Sequence, residues 1–298
     1  MTRIQANLCL LFAGAIWGGG FIMQTFAMAT LQPLWYIGLR FVLATLIILP
    51  FAIAETRKIG RPVSKREAIA FSAIGLSLFA GAMTQQIGLL STTVTNSGFL
   101  TGLYVIFVPV LSVILLRKAP HWIIWPAALM ALGGIFLLSG GSLATLSHGD
   151  IMTIVCAFFF AIQVLLIGVF AASSGRPLLL SAWQFAITAV AALIAAAFIE
   201  PVSIAGIRGA MMPIIYSGIF SSGVAFSLQV IGQRYTSPSQ AAIFLSSEAL
   251  FAASFGAIFL GETIAPVGYI GCAIIFLAMI MVELVPEILS KRVPAQVQ

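Results

Sequence analysis

Ten apolar runs of roughly twenty residues each, joined by short polar connections, leave this chain few folds to choose from. They fall at about 5–27, 33–54, 66–87, 95–116, 121–140, 150–171, 178–199, 211–231, 239–260 and 265–285. Inside hydrocarbon a backbone must satisfy its own N–H and C=O groups, so segments of this length cross a bilayer as helices. The composition agrees: 61% of residues are hydrophobic, 7% are charged, and the mean hydropathy is +1.14. The expected fold class is an all-α membrane protein of ten transmembrane helices. The first run continues from the N-terminus through Phe26, too long for the apolar part of a cleavable signal, and is read as an uncleaved span.

Charge sets orientation. With a cytoplasmic N-terminus, twelve of the fourteen Lys and Arg residues fall on the cytoplasmic side: Arg3, the Arg57–Arg66 connection, Arg117, Lys118, Arg176, Arg234, Lys291 and Arg292. Arg208 alone lies outside and Arg40 lies within the second run. Both termini are therefore expected in the cytoplasm. The net charge of +6 sits in these short clusters rather than along a stripe, which implies no nucleic-acid partner. Cys9, Cys156 and Cys272 lie in apolar runs without a CxxC pair, and His121 and His148 are isolated in connections. No metal and no cofactor is expected.

The chain also repeats itself. A shift of 144 positions, without a gap, lays Pro33-Leu34 on Pro177-Leu178, Phe41 on Phe185, Gln85 on Gln229, and Ile87-Gly88 on Ile231-Gly232. The Pro, Gln and Gly matches carry the weight in so apolar a sequence. Residues 1–144 and 145–298 then form two units of five spans within one membrane domain. An odd number of crossings turns the second unit upside down. Inverted repeats of this kind characterise many secondary transporters, whose substrates bind near mid-membrane between the units.

The ninth run carries Glu248 near its middle, where an ionisable group costs about 3 kcal/mol or more. It is read as a proton-coupling group or the partner of a cargo ammonium, with a neutral packing element as the alternative. Its repeat mate is Tyr104, on one face of the fourth run with Ser97 and Thr101. Trp17 and Gln163 fall at comparable depth, so Trp17, Thr101, Tyr104, Gln163 and Glu248 are the candidate substrate-binding residues. Interhelical packing is the alternative for Trp17, and a helix–helix hydrogen bond for Gln163. Gln85 and Gln229 are candidates for opposite cavity mouths. Arg40 is read as a structural anchor that snorkels or bonds to carbonyls, and Pro109 as the site of a local kink. Gly14 and Gly18, like Gly98 and Gly102, permit close helix approach.

Trp17-Gly18, Pro33 with Arg40, Phe99-Leu100-Thr101 through Pro109, and Leu260-Gly261-Glu262 follow one another in an order that resembles the drug/metabolite transporter superfamily. Within it, the chain resembles exporters of amino acids and metabolites of the EamA type, aromatic amino acids included. The resemblance spans essentially the whole chain. It implies ten helices, an inverted repeat, a central cavity lined by the first, third, fourth, sixth, eighth and ninth spans, and residence in a bacterial cytoplasmic (inner) membrane. Arg117-Lys118 stands where the first repeat of such proteins often has Gly-Glu, and Gly19-Gly20 where a small polar residue and Asn often follow Trp-Gly. Contacts made by those groups do not transfer.

The leading function is thus alternating-access export of a small organic metabolite, most simply an amino acid, with the lipid bilayer as the other partner and no oligomeric state implied. A channel-like facilitator, or a carrier of another metabolite or drug, is the alternative. An intramembrane enzyme is disfavoured: Asp150 is the sole aspartate and no GxSxG nucleophile motif occurs. No GxxxxGK[ST] motif is present to drive transport with ATP. Single cysteines placed at Gly60 and Ser142 should label from opposite sides of the membrane. Labelling of both from outside intact cells would refute the orientation.

Overall fold

The computed structural model describes residues 1–138, 147–261 and 263–292. Ser142, Glu262 and the expected boundary between the repeats lie outside them. Ten helical spans follow in order: α1 (Arg3–Met28), α2 (Pro33–Ile59), α3 (Lys65–Gly88), α4 (Val94–Leu116), α5 (Ile124–Leu138), α6 (His148–Ser174), α7 (Pro177–Ile199), α8 (Met211–Gln233), α9 (Pro238–Leu260) and α10 (Pro266–Arg292). Among the described residues nine helices are long and apolar enough to cross a membrane, and α5 is shorter. Pro126 explains part of this difference. It cannot donate to the carbonyl of Trp122, so regular helix starts only just ahead of it.

Local chemistry starts these helices where the sequence changes character. Thr2, Ser64 and Ser147 each form a reciprocal capping box, with Gln5, Glu67 and Asp150. Thr93 caps α4 through the N–H of Asn96, and Ser237 caps α9 through the N–H of Gln240. These two caps are 144 positions apart, so the repeat extends to helix termini. Pro33 and Pro177, another matched pair, occupy the first turns of α2 and α7.

The same two helices are joined by reciprocal caps. Near the end of α7, Glu200 accepts from the N–H groups of Leu34 and Trp35 at 3.0 and 3.1 Å. Near the end of α2, Glu55 accepts from the N–H groups of Leu178 and Leu179 at 3.3 and 2.9 Å. A carboxylate at a helix N-terminus satisfies free donors and complements the helix dipole. The antiparallel α2 and α7 therefore hold one another at both ends.

Helix α2 packs along α7, and α5 along α10. Helix α1 packs against α8 as α3 packs against α6, contacts that exchange under the 144-residue shift. The outer surface is apolar, with Phe12, Leu46, Leu76, Phe198 and Phe259 exposed. Glutamines, serines and Arg40 are buried between the helices. This distribution suits a molecule whose solvent is lipid.

Two spans are interrupted midway. In α4 the ladder tightens around Gly102–Leu103, where Val105 N donates to Gly102 O and Ile106 N to Leu103 O. In α9 it tightens around Ser246–Ser247, where Ser247 N donates to Phe244 O and Ala249 N to Ser246 O. These breaks are again 144 residues apart, and each immediately precedes a polar mate, Tyr104 or Glu248. Pro109, the expected kink site, lies inside the helical segment Tyr104–Leu116. The interruption falls before it.

Both α4 and α9 end in the left-handed conformation, at Arg117 (φ 52°) and Gly261 (φ 68°). Arg117 is the only non-glycine with positive φ among the described residues. Its Cβ makes that geometry costly by about 1–2 kcal/mol, a penalty glycine lacks. Arg117→Gly should therefore raise thermal stability in detergent by about 1 kcal/mol, and Gly261→Ala should lower it by a similar amount. Shifts of the same sign would show that backbone conformation is not the cause.

Candidate functional site

The breaks in α4 and α9 meet at a buried central cavity. Its walls come from α1 (Trp17, Phe21, Gln24), α2 (Arg40), α3 (Gln85), α4 (Tyr104), α6 (Phe160, Gln163), α8 (Ser221, Phe226, Gln229) and α9 (Leu245, Glu248). Both repeats contribute. Space around the lining atoms totals about 520 Å³, part of it open to the outside, and the centre of a water molecule can occupy about 40 Å³ of it.

Close approach of α1 to α9 positions the central wall. At Gly18 an added Cβ would lie 2.7 Å from Ala252 N, against backbone that cannot swing aside. The bare glycine lets α1 set Trp17 beside the cavity. Trp17 Nε1 donates to the carbonyl of Ser221 at 2.9 Å, and its ring lies 4.7 Å from that of Phe226. Ser221 belongs to a π-helical stretch of α8, Ser217–Ala225, where widened hydrogen-bond spacing interrupts the regular ladder.

Glu248 and Tyr104 are neighbours within interaction range, both almost fully buried. Neither Tyr104 Oη nor Glu248 Oε1 has a partner meeting hydrogen-bond geometry. Both atoms belong to residues lining the cavity. Thr101 does not itself line it; its hydroxyl accepts from Gln85 Nε2 at 3.1 Å. Cys156 is a free thiol beside that hydroxyl.

A second polar group joins three helices. Gln163 Nε2 donates to Gln184 Oε1 and Gln229 Oε1, and Gln229 Nε2 returns a bond to Gln163 Oε1 at 3.0 Å. Thus Gln85 and Gln229, read as opposite mouths, both border one cavity and each is tethered to a neighbouring span. By helical rise Gln85 lies about 5 Å from the C-terminal end of α3, and Gln229 about 6 Å from the C-terminal end of α8.

Arg40 is the residue read from the sequence as a structural anchor. It is buried, with its guanidinium over the rings of Tyr36 and Phe41 at 5.2 and 5.0 Å, and its side chain lines the cavity. Gln24 and Ser221 were not among the sequence candidates. Trp17, Phe21 and Gln24 share a helical face, a pattern that could have identified Gln24.

The glutamine group makes a specific prediction. Gln163→Leu leaves Gln184 and Gln229 short of partners and should cost about 1–3 kcal/mol of stability. Adding Gln229→Leu should cost less than the sum of the single losses, because the second change removes an already stranded amide. Additive losses would show that the two residues do not act as one network.

Comparison with known proteins extends this geometry. The model of the EamA-like transporter family matches twice, over residues 4–140 and 147–284. Each match covers five spans, so the second copy is inverted relative to the first. An "Uncharacterized transporter" of Archaeoglobus fulgidus is 32% identical over 285 residues, covering 95% of this chain and 87% of that protein. A protein solved by crystallography superposes with a TM-score of 0.78 at 18% identity, over 97% of this chain and 99% of its own, which shows a shared fold. With two family domains, ten helical spans and a cavity between them, this multi-pass membrane protein belongs to the EamA-like transporter family.

Proposed function

We propose that the protein exports small organic metabolites, amino acids foremost, by alternating access. The observation that carries this reading is the narrow cavity of aromatic and polar side chains at two symmetry-related helix breaks. Interrupted spans offer unpaired polar groups at mid-membrane, and inverted repeats can expose one site to either side in turn. A cavity whose walls come from both inverted repeats, with only about 40 Å³ open to the centre of a water molecule, favours a carrier whose halves move over a fixed channel. Aromatic side chains at Trp17, Phe21, Phe160 and Phe226 suit an apolar or aromatic cargo side chain.

In this reading Trp17, Thr101, Tyr104, Gln163 and Glu248 form the binding region, and Gln85 and Gln229 respond to opening at opposite sides. The two repeats, 1–144 and 145–298, are the moving units of one domain. The Lys and Arg distribution supports cytoplasmic termini in a bacterial cytoplasmic membrane.

The test is flux in sealed proteoliposomes loaded with phenylalanine. Downhill efflux and counterflow are expected, and Trp17→Ala should weaken apparent affinity about tenfold, equivalent to about 1.4 kcal/mol. Glu248→Gln separates the roles of that acid. Loss of proton-driven accumulation with exchange spared identifies proton coupling, whereas selective loss of amine binding identifies an ammonium contact. Unchanged flux in both assays leaves Glu248 a packing element. Flux without counterflow, with probes at Gln85 and Gln229 exposed together, would refute alternating access.

A further inference from the structure

We propose that Arg40 is the carboxylate-recognising pole of the cavity. The residue lies on α2, about 10 Å by helical rise from the outer end of that span. It is 4% exposed, and its guanidinium rests over Tyr36 and Phe41 while lining the cavity. Its Nε has no hydrogen-bond partner. The ion pairs among the described residues are Arg3 with Glu283 and Arg61 with Glu67, so Arg40 has no carboxylate partner there.

An arginine keeps its charge, and burying that charge without an anion is costly. The two rings offset part of the cost through cation–π attraction. Fork-shaped donors held in a plane match a carboxylate better than a point charge does. A snorkelling side chain would instead reach the membrane surface.

The repeat sharpens the assignment. The mate of Arg40 is Gln184, whose carbonyl oxygen is already engaged by Gln163. Only one of the two related positions carries a charge, so the cavity has one cationic pole in its outer half. Glu248, with its free oxygen, supplies an acid elsewhere on the wall. A cargo with a carboxylate directed to Arg40 and an ammonium directed towards Glu248 complements both. The ammonium end rests on the amino-acid reading proposed above; the Arg40 assignment needs the carboxylate alone.

The full-length protein in detergent can be tested with three probes of one shape. These are phenylalanine, 3-phenylpropionate, which lacks the ammonium, and phenethylamine, which lacks the carboxylate. Titrations by thermal shift at constant ionic strength should give phenylalanine and 3-phenylpropionate at least about tenfold tighter binding than phenethylamine. Arg40→Gln should erase that preference, and Arg40→Lys should retain part of it. Phenethylamine binding as tightly as phenylalanine, or a carboxylate preference that survives Arg40→Gln, would overturn the assignment. So would the absence of binding by these probes and by a panel of short carboxylates. Should Arg40→Gln fail to fold, the wild-type ratio of acid to amine decides alone. Binding of 3-phenylpropionate but not phenylalanine upholds Arg40 and removes the amino-acid reading. Equal binding of phenylalanine and phenethylamine, with phenylalanine flux intact, does the reverse.

Discussion

Hydrocarbon offers no hydrogen bonds, and the architecture depends on that fact. Every backbone group at membrane depth must find a partner within the protein, which is why the spans are helical and why departures from regular helix are confined to sheltered places. Gly102–Leu103 and Ser246–Ser247 are such places: both tighten in the interior, and short-range carbonyl bonds take up the strain. The π-helical stretch of α8 is another, and the carbonyl of Ser221 there accepts from Trp17. Irregular backbone and the polar cavity coincide because each needs the shelter of the surrounding spans.

Polar side chains obey the same constraint in a different manner. Gln163 and Gln229 exchange hydrogen bonds and Gln163 also donates to Gln184, as Gln85 does to Thr101. Around Glu248, Tyr104 and Arg40 satisfaction is incomplete. At the cavity wall these atoms have capacity left for a ligand.

Much of the fold was legible because it is written periodically. Run length gave the spans, and the shift that pairs Pro33 with Pro177 and Gln85 with Gln229 gave the repeat, which the two family matches bear out. The helix breaks were not legible. Pro109 drew attention to the middle of α4, but the ladder yields at a glycine and a leucine that carry no unique signal, and in α9 at two serines. The setting of Arg40 was not legible for another reason. Its depth along α2 follows from counting residues, whereas the direction of its side chain depends on Tyr36, Phe41 and the helices opposite. Gln24 escaped notice because a glutamine near a helix end suits an interface as well as a site.

The reciprocal caps of α2 and α7 have a consequence for how the two halves can change shape. Each half lends an acid to the other, Glu55 at one membrane face and Glu200 at the opposite face, as in a symmetric dimer whose subunits have been fused. A fused dimer loses the obligation to stay symmetric. Once the genetic copies are independent, substitution of one acid loosens a single face and leaves the other latched. Glu55 and Glu200 are therefore separate adjustments for the two ends of the α2–α7 pair, each open to mutation without altering the cavity.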